Sequence, residues 1–281
     1  MTPNPDETSP DEANSDEPKP LQKTALLVSY DGRPFHGWQR LRDHPTVQGT
    51  LEEAVAEIFD VQSVVAGSGR TDRGCHAIGQ VASTELPLGL DSVEIVTKLN
   101  EYLQETTEGA IIVENAASVP EDFHALHSCT GKTYRYAIWL NGELPSEYER
   151  KVWHVHGELD LEAMAAVVPL FEGEHDFASF ASKSNFDRQG TVRWLSQSSM
   201  FTEGPVTEMV FTGNGFLYKM VRNLVRTIVR VGEGRSSLDD VVAILAAKDR
   251  QRAPGSAPAS GLYLDEVYYD PPIFPTEASA P

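Results

Sequence analysis

Apolar and polar positions along the chain fall into a pattern that occurs twice. Residues 24–30 (TALLVSY) read as a strand. Leu51, Ala54, Val55, Ile58 and Phe59 then follow the helical period, opened by a capping box at Thr50-x-x-Glu53. Residues 61–66 and 80–85 read as strands on either side of a glycine-rich loop. Ile95, Val96, Leu99 and Leu103 mark a helix over 93–103, and 110–116 closes the set as a strand. The order is βαββαβ, the ferredoxin-like split unit. The second half repeats it: an alternating strand over 130–140 and a helix marked by Leu161, Met164, Ala165 and Val168 come first. Strands over 193–201 and 206–212 follow, with Gly204-Pro205 in the turn between them, then helices over 217–231 and 238–248 and a last strand over 261–269. The pattern predicts an α+β fold of two ferredoxin-like halves, 23–120 and 121–271, with a cleft between their sheets. Residues 1–22 are acidic, proline-rich and nearly without apolar side chains, which predicts a disordered tail. The end, 272–281, reads as equally loose.

Charge changes the picture more than composition does. The net charge is -19, the wrong sign for a partner made of phosphates, since nucleic-acid binders usually carry a basic surface. Acid spread along the whole chain predicts instead a protein adapted to molar intracellular salt, where the Debye length shrinks to about 3 Å and acidic surface repels RNA little. Local charge then decides function. No run of about 18 apolar residues predicts a membrane span, and the N-terminus has neither the basic start nor the apolar stretch of a signal peptide. The two cysteines, Cys75 and Cys129, form no CxxC pair; a reducing cytoplasm and no structural zinc are expected.

The candidate chemistry lies in the loop between the second and third strands, Gly67-Ser68-Gly69-Arg70-Thr71-Asp72-Arg73-Gly74-Cys75-His76-Ala77. Glycines allow a tight turn and close approach of a ligand, and one acid stands between two arginines that favour its ionised form. A polar turn with a local ion pair has the same composition. A phosphate cradle fits less well, because the spacing that ends in Gly-Lys-Ser/Thr is missing and an acid sits in the middle. On the late helix Lys219, Arg222, Arg226 and Arg230 fall on one stripe, beside Met220, Leu224, Val225 and Ile228. In a chain this acidic, such a stripe reads as a phosphate-facing surface rather than a solvated one. His154-x-His156 and His124-x-x-His127 lack converging carboxylates or cysteines in the sequence, so no metal is expected.

The stretch Gly69-Arg70-Thr71-Asp72-x-Gly74-x-His76-Ala77 resembles the signature of the TruA family of tRNA pseudouridine synthases. Other matches follow in order along the chain. They are Tyr30-Asp31-Gly32 with Gly37-Trp38-Gln39-Arg40, Val47-Gln48-Gly49-x-Leu51-Glu52, Asp122-Phe123-His124-Ala125 and Lys132-x-Tyr134-Arg135-Tyr136. Later come Phe216-Leu217-x-x-Met220-Val221-Arg222-Asn223-Leu224, residues 245–250 and Gly261-Leu262-Tyr263-Leu264.

The resemblance implies a pseudouridine synthase fold and isomerisation of uridine at positions 38, 39 and/or 40 of the tRNA anticodon stem-loop. It also implies a homodimer and no cofactor. Asp72 inherits the role of catalytic carboxylate, as nucleophile or base, and Arg222 that of its ion-pair partner. Tyr134 matches the tyrosine that stacks on the target base, and Arg70 the arginine that supports the flipped-out uridine. Lys219, Arg226 and Arg230 would then meet the RNA backbone. Cys75 stands where the family usually has valine. The competing reading is a noncatalytic RNA-binding protein that keeps the fold.

Overall fold

The structure, a computed structural model, describes residues 20–182 and 190–274. Most of the acidic tail expected over 1–22, and residues 275–281, lie outside the described residues. Leu21 and Gln22 already belong to the first strand.

The first half runs β1 (Leu21–Tyr30), α1 (Val47–Phe59), β2 (Ala66–Gly67), β3 (His76–Pro87), α2 (Ser92–Thr107) and β4 (Ile111–Ser118). The second contains β5 (Gly131–Leu140), β6 (Trp153–Val155), α3 (Leu161–Val167), β7 (Gly173–Asp176), β8 (Val192–Glu203) and β9 (Val206–Gly213). It ends with α4 (Met220–Gly232), α5 (Leu238–Ala247) and β10 (Leu262–Tyr268). Strand order is β4-β1-β3-β2 in one half and β10-β5-β9-β8 in the other, the same arrangement twice.

The halves do not keep separate sheets. β10 runs parallel to β3, Tyr263 opposite His76 and Leu264 opposite Ala77, so a single ten-stranded sheet crosses the molecule. β1 occupies one whole edge of β3; the other is shared by β10 near His76 and β2 near Ala82 and Ser83. The loop joining β2 to β3 therefore stands over the seam between the halves. One hydrophobic cluster draws on both, from Leu26 and Leu51 to Phe211 and Ile228. β5 is buried on both faces: Tyr134, Tyr136 and Ile138 join the main cluster, and Ala137 and Trp139 pack on the other side with Val152 and Leu144.

Four local expectations change. Helix α1 starts a turn earlier than the Thr50 box: Thr46 is the cap, its hydroxyl accepting from Gly49 N–H at 3.2 Å, and Thr50 donates back to the Thr46 carbonyl. The strand expected over 61–66 shrinks to Ala66–Gly67, because the Ser63 side chain takes the Glu85 N–H (3.0 Å) that backbone pairing would use. Helix α3 tightens into a 3₁₀ turn over Val168–Phe171, where Pro169 cannot donate to a continuing α-helix. Helix α4 begins at Met220, not at 217, because Lys219 adopts a left-handed φ of 60°.

Candidate active site

The loop over the seam is held by backbone and buried side chains. Gln80, in β3 and fully buried, donates to the Gly69 carbonyl at 2.7 Å and accepts from the Ser68 hydroxyl at 2.7 Å. The buried Tyr30 hydroxyl shares a hydrogen bond with Thr71 at 2.8 Å. Trp38 N–H donates to the Thr71 carbonyl at 3.1 Å. Gly37 lies so close that a Cβ there would sit 2.6 Å from that carbonyl oxygen, and its φ is +94°. Beyond Thr71 the chain turns, Cys75 N–H bonding the Asp72 carbonyl at 3.0 Å, with Gly74 at φ +79° inside the turn. This turn projects the Asp72 side chain toward the second half.

There Arg222, in the first turn of buried helix α4, donates from Nη1 to Asp72 Oδ2 at 2.5 Å. Its Nε donates to the Ala257 carbonyl at 2.8 Å, so the guanidinium is gripped on two sides. The pair is shielded but not sealed: the side chains keep 12% (Arg222) and 23% (Asp72) of their exposure. Asp72 opens into a cavity of about 690 Å³ lined also by Trp38, Arg70, Lys132, Tyr134 and Phe216. Tyr134 and Phe216 meet edge to face, centroids 4.9 Å apart. Burial first, with nearby acidic groups adding, pushes the Tyr134 phenol well above its usual pKa, so its hydroxyl stays protonated. Burial likewise raises the Cys75 thiol to about 12, and the Asp72 charge adds to it; Cys75 is a packing residue here.

Two stretches of the chain, 26–127 and 167–270, match the profile of a family described as tRNA pseudouridine synthase. The chain belongs to that family. Its members are isomerases. The chain is 41% identical to the tRNA pseudouridine synthase A of Rhodospirillum centenum over 250 residues, 89% of this chain and all of that protein. Against the tRNA pseudouridine synthase A of Acetivibrio thermocellus the identity is 37% over 250 residues, again 89% of this chain and all of that one. The same enzyme of Geobacillus kaustophilus is 39% identical over 252 residues, covering 89% and 95% of the two chains. Asp72, Arg70 and Arg222 lie inside the matched stretches, whereas Lys132 and Tyr134 fall between them.

For a pseudouridine synthase the cleft brings together five of the seven residues singled out from sequence. Asp72, Arg70, Tyr134 and Lys219 line it, and Arg222 holds Asp72 from behind. The later arginines of the α4 stripe do not line this cleft. Arg226 is half-buried, pairing with Glu233 at 3.1 Å and lying 5.4 Å from the Trp153 ring centroid. Arg230 lines a separate cavity with Arg235 and Arg252. The paired histidines stand ring to ring, 4.1 Å and 4.4 Å between centroids. No group of three or more potential metal ligands occurs among the described residues.

Two contributors were missed. Gln80 reads in the sequence as one more strand residue, and only its burial beside the loop reveals the brace. His76 bonds Gly32 N–H through Nδ1 at 3.2 Å and the Arg150 carbonyl through Nε2 at 3.2 Å, and stacks on Tyr263 at 4.7 Å. It ties the loop's exit to the Asp31-Gly32 corner.

Proposed function

We propose that the chain isomerises uridine to pseudouridine in transfer RNA, at positions 38, 39 and/or 40 of the anticodon stem-loop, with Asp72 as the catalytic carboxylate and no cofactor. The observation that carries this reading is the Asp72–Arg222 pair opening into a cleft faced by an aromatic wall, Tyr134 and Phe216. A cavity of about 690 Å³ suits one extruded nucleoside. Tyr134 stacks on the base and Arg70, exposed at the rim, supports the nucleotide in its flipped state. Lys219 meets the backbone at the mouth.

The reaction breaks the bond from ribose C1′ to uracil N1, turns the base and joins C1′ to C5. Asp72 serves it as a nucleophile at C1′ or as a base on the sugar. A homodimer holding one tRNA across both subunits, and a cytoplasm rich in salt, complete the proposal. They rest on the family resemblance and on the net charge of -19.

The test is tritium release from unmodified tRNA labelled at uracil C5, in molar potassium chloride, by wild type and Asp72→Asn. The C5 hydrogen leaves when that carbon takes over the bond to ribose. Release by wild type alone supports the reading. Tight tRNA binding with no release from either protein would favour a noncatalytic RNA binder on the same fold.

A further inference from the structure

Lys132 is a charge out of place. It lies in β5 two residues before Tyr134, on the same face, and only 7% of it is exposed. Its side chain lines the cleft that holds Asp72. A Cβ added at Gly69 of the catalytic loop would sit 3.5 Å from Lys132 Cε and 3.2 Å from the Tyr134 hydroxyl, so the two side chains flank the same point of the loop. The only hydrogen bond of the ammonium among the described residues goes to Cys129 Sγ, a weak acceptor at 3.2 Å. Removing an ammonium from water without a counter-charge costs stability. The chain has 42 acidic side chains, yet among the described residues none forms an ion pair with this lysine. Such a group makes sense where the anion arrives with the substrate.

We infer that Lys132 stabilises the negative charge that develops on the uracil ring while it is detached from the sugar. This rests on the reading of the cleft as a uridine isomerase. When the C1′–N1 bond breaks, its electron pair stays with the base, and the charge spreads over N1 and the ring carbonyl oxygens. C1′, left short of electrons, is met by the Asp72 carboxylate or loses a neighbouring proton. The base then turns and a pair at C5 forms the new C1′–C5 bond, expelling the Asp72 carboxylate from C1′ or, on the other route, as the sugar carbon takes back the proton it lost; the C5 proton passes to solvent and N1 takes up a proton. Atoms and electrons balance without any co-reactant. Throughout, the ammonium donates a hydrogen bond to a carbonyl oxygen of the base and keeps its own proton. Tyr134 and Lys132 thereby divide the work on one ring: the aromatic side chain takes its face, and the ammonium its polar edge. A preorganised donor aimed at developing charge in a shielded site is worth about 10²–10³ in kcat.

The experiment compares wild type, Lys132→Gln, Lys132→Met, Lys132→Arg and Cys129→Ala by C5 tritium release, tRNA affinity and thermal midpoint. Lys132→Gln and Lys132→Met are expected to lose about 10²–10³ in kcat with tRNA affinity within about threefold. Their midpoints should match or exceed that of wild type, because an uncompensated buried charge has gone. Lys132→Arg should recover at least about tenfold of the lost rate, and Cys129→Ala should turn over like wild type. A loss of affinity with kcat intact would reassign Lys132 to a phosphate contact and overturn the inference. So would a fall in midpoint that parallels the fall in rate, with no rescue by arginine. An active wild type with active Lys132→Gln would sink the Lys132 role alone. An inactive wild type that still binds tRNA would sink the isomerase reading, and this inference with it.

Discussion

Arg222 Nη1 lies 2.5 Å from Asp72 Oδ2, across 150 positions of sequence. The carboxylate comes from a surface loop of the first half and the guanidinium from a buried helix of the second, so the contact exists only when the halves share one sheet. Asp72→Asn keeps the shape but leaves the half-buried guanidinium without its counter-charge. We expect turnover to fall by about 10³-fold or more, tRNA affinity to stay within about tenfold, and stability to drop by about 1–2 kcal/mol. That drop is smaller than the ~3–5 kcal/mol for a fully buried pair. Tritium release, filter binding and urea unfolding measure the three effects. A variant that stayed active would remove Asp72 from the chemistry.

Arg222→Lys keeps the charge and loses the fork. One ammonium on a shorter reach cannot serve both the Asp72 carboxylate and the Ala257 carbonyl. The expected result is a fall in kcat of about 10²-fold, the scale on which misplacing a reacting group by about 1 Å acts, at near-normal tRNA affinity. Undiminished turnover would mean that charge alone, not its direction, is what Asp72 needs.

Two glycines of the site separate function from stability. A Cβ at Gly69 would point at the Tyr134 hydroxyl, 3.2 Å away, with no left-handed φ to strain. Gly69→Ala should therefore lower kcat/KM with a midpoint close to wild type. Gly37 has φ +94° and its Cβ would meet the Thr71 carbonyl oxygen at 2.6 Å. Gly37→Ala should cost about 1–3 kcal/mol from the backbone conformation alone, and more from the collision. Equal effects of the two on thermal unfolding would contradict this division.

Gln80 braces the loop with one donor and one acceptor. Gln80→Leu strands the Gly69 carbonyl and the Ser68 hydroxyl in a buried setting, at about 1–3 kcal/mol for each group left unpaired. Activity should fall further than stability, because the same loop carries Asp72. Hydrogen exchange of the loop amides should accelerate in step; amides as slow as in wild type would show that the backbone holds itself.

Burial holds the His76 imidazole below its usual pKa of 6.5; nearby Arg33 and Lys151 push the same way, and Asp31 and the Arg150 carbonyl oppose them. The folded state thus binds fewer protons at this site than the unfolded chain. The contribution of neutral His76 is complete above about pH 6.5 and is lost as pH falls below it. Thermal midpoints measured between pH 7 and about 5 should decline, and His76→Gln should shallow that decline. Slopes that coincided for the two proteins would remove His76 from the titration; His36 and His124, also lowered by burial, would then carry it.

Much of this molecule was written in local pattern. Leu51, Ala54 and Val55 recur at helical spacing because that face of α1 must be buried, and they are. The twofold βαββαβ order, the Asp72 loop and the Tyr134 strand were equally legible, since period and motif are properties of neighbouring residues. Tertiary structure decided what depends on distant partners. It merged the expected pair of sheets into one, because β3 had a free edge beside His76 for β10 to fill. It set Arg226 over the Trp153 ring of β6, although helical spacing alone grouped that arginine with Lys219 and Arg222. It also left Lys132 buried in the cleft with a thiol for company. A sequence can say which residues share a face of a strand or helix. Whether that face meets solvent, a carboxylate or a cavity is set by chain segments far away, and only the folded packing determines it.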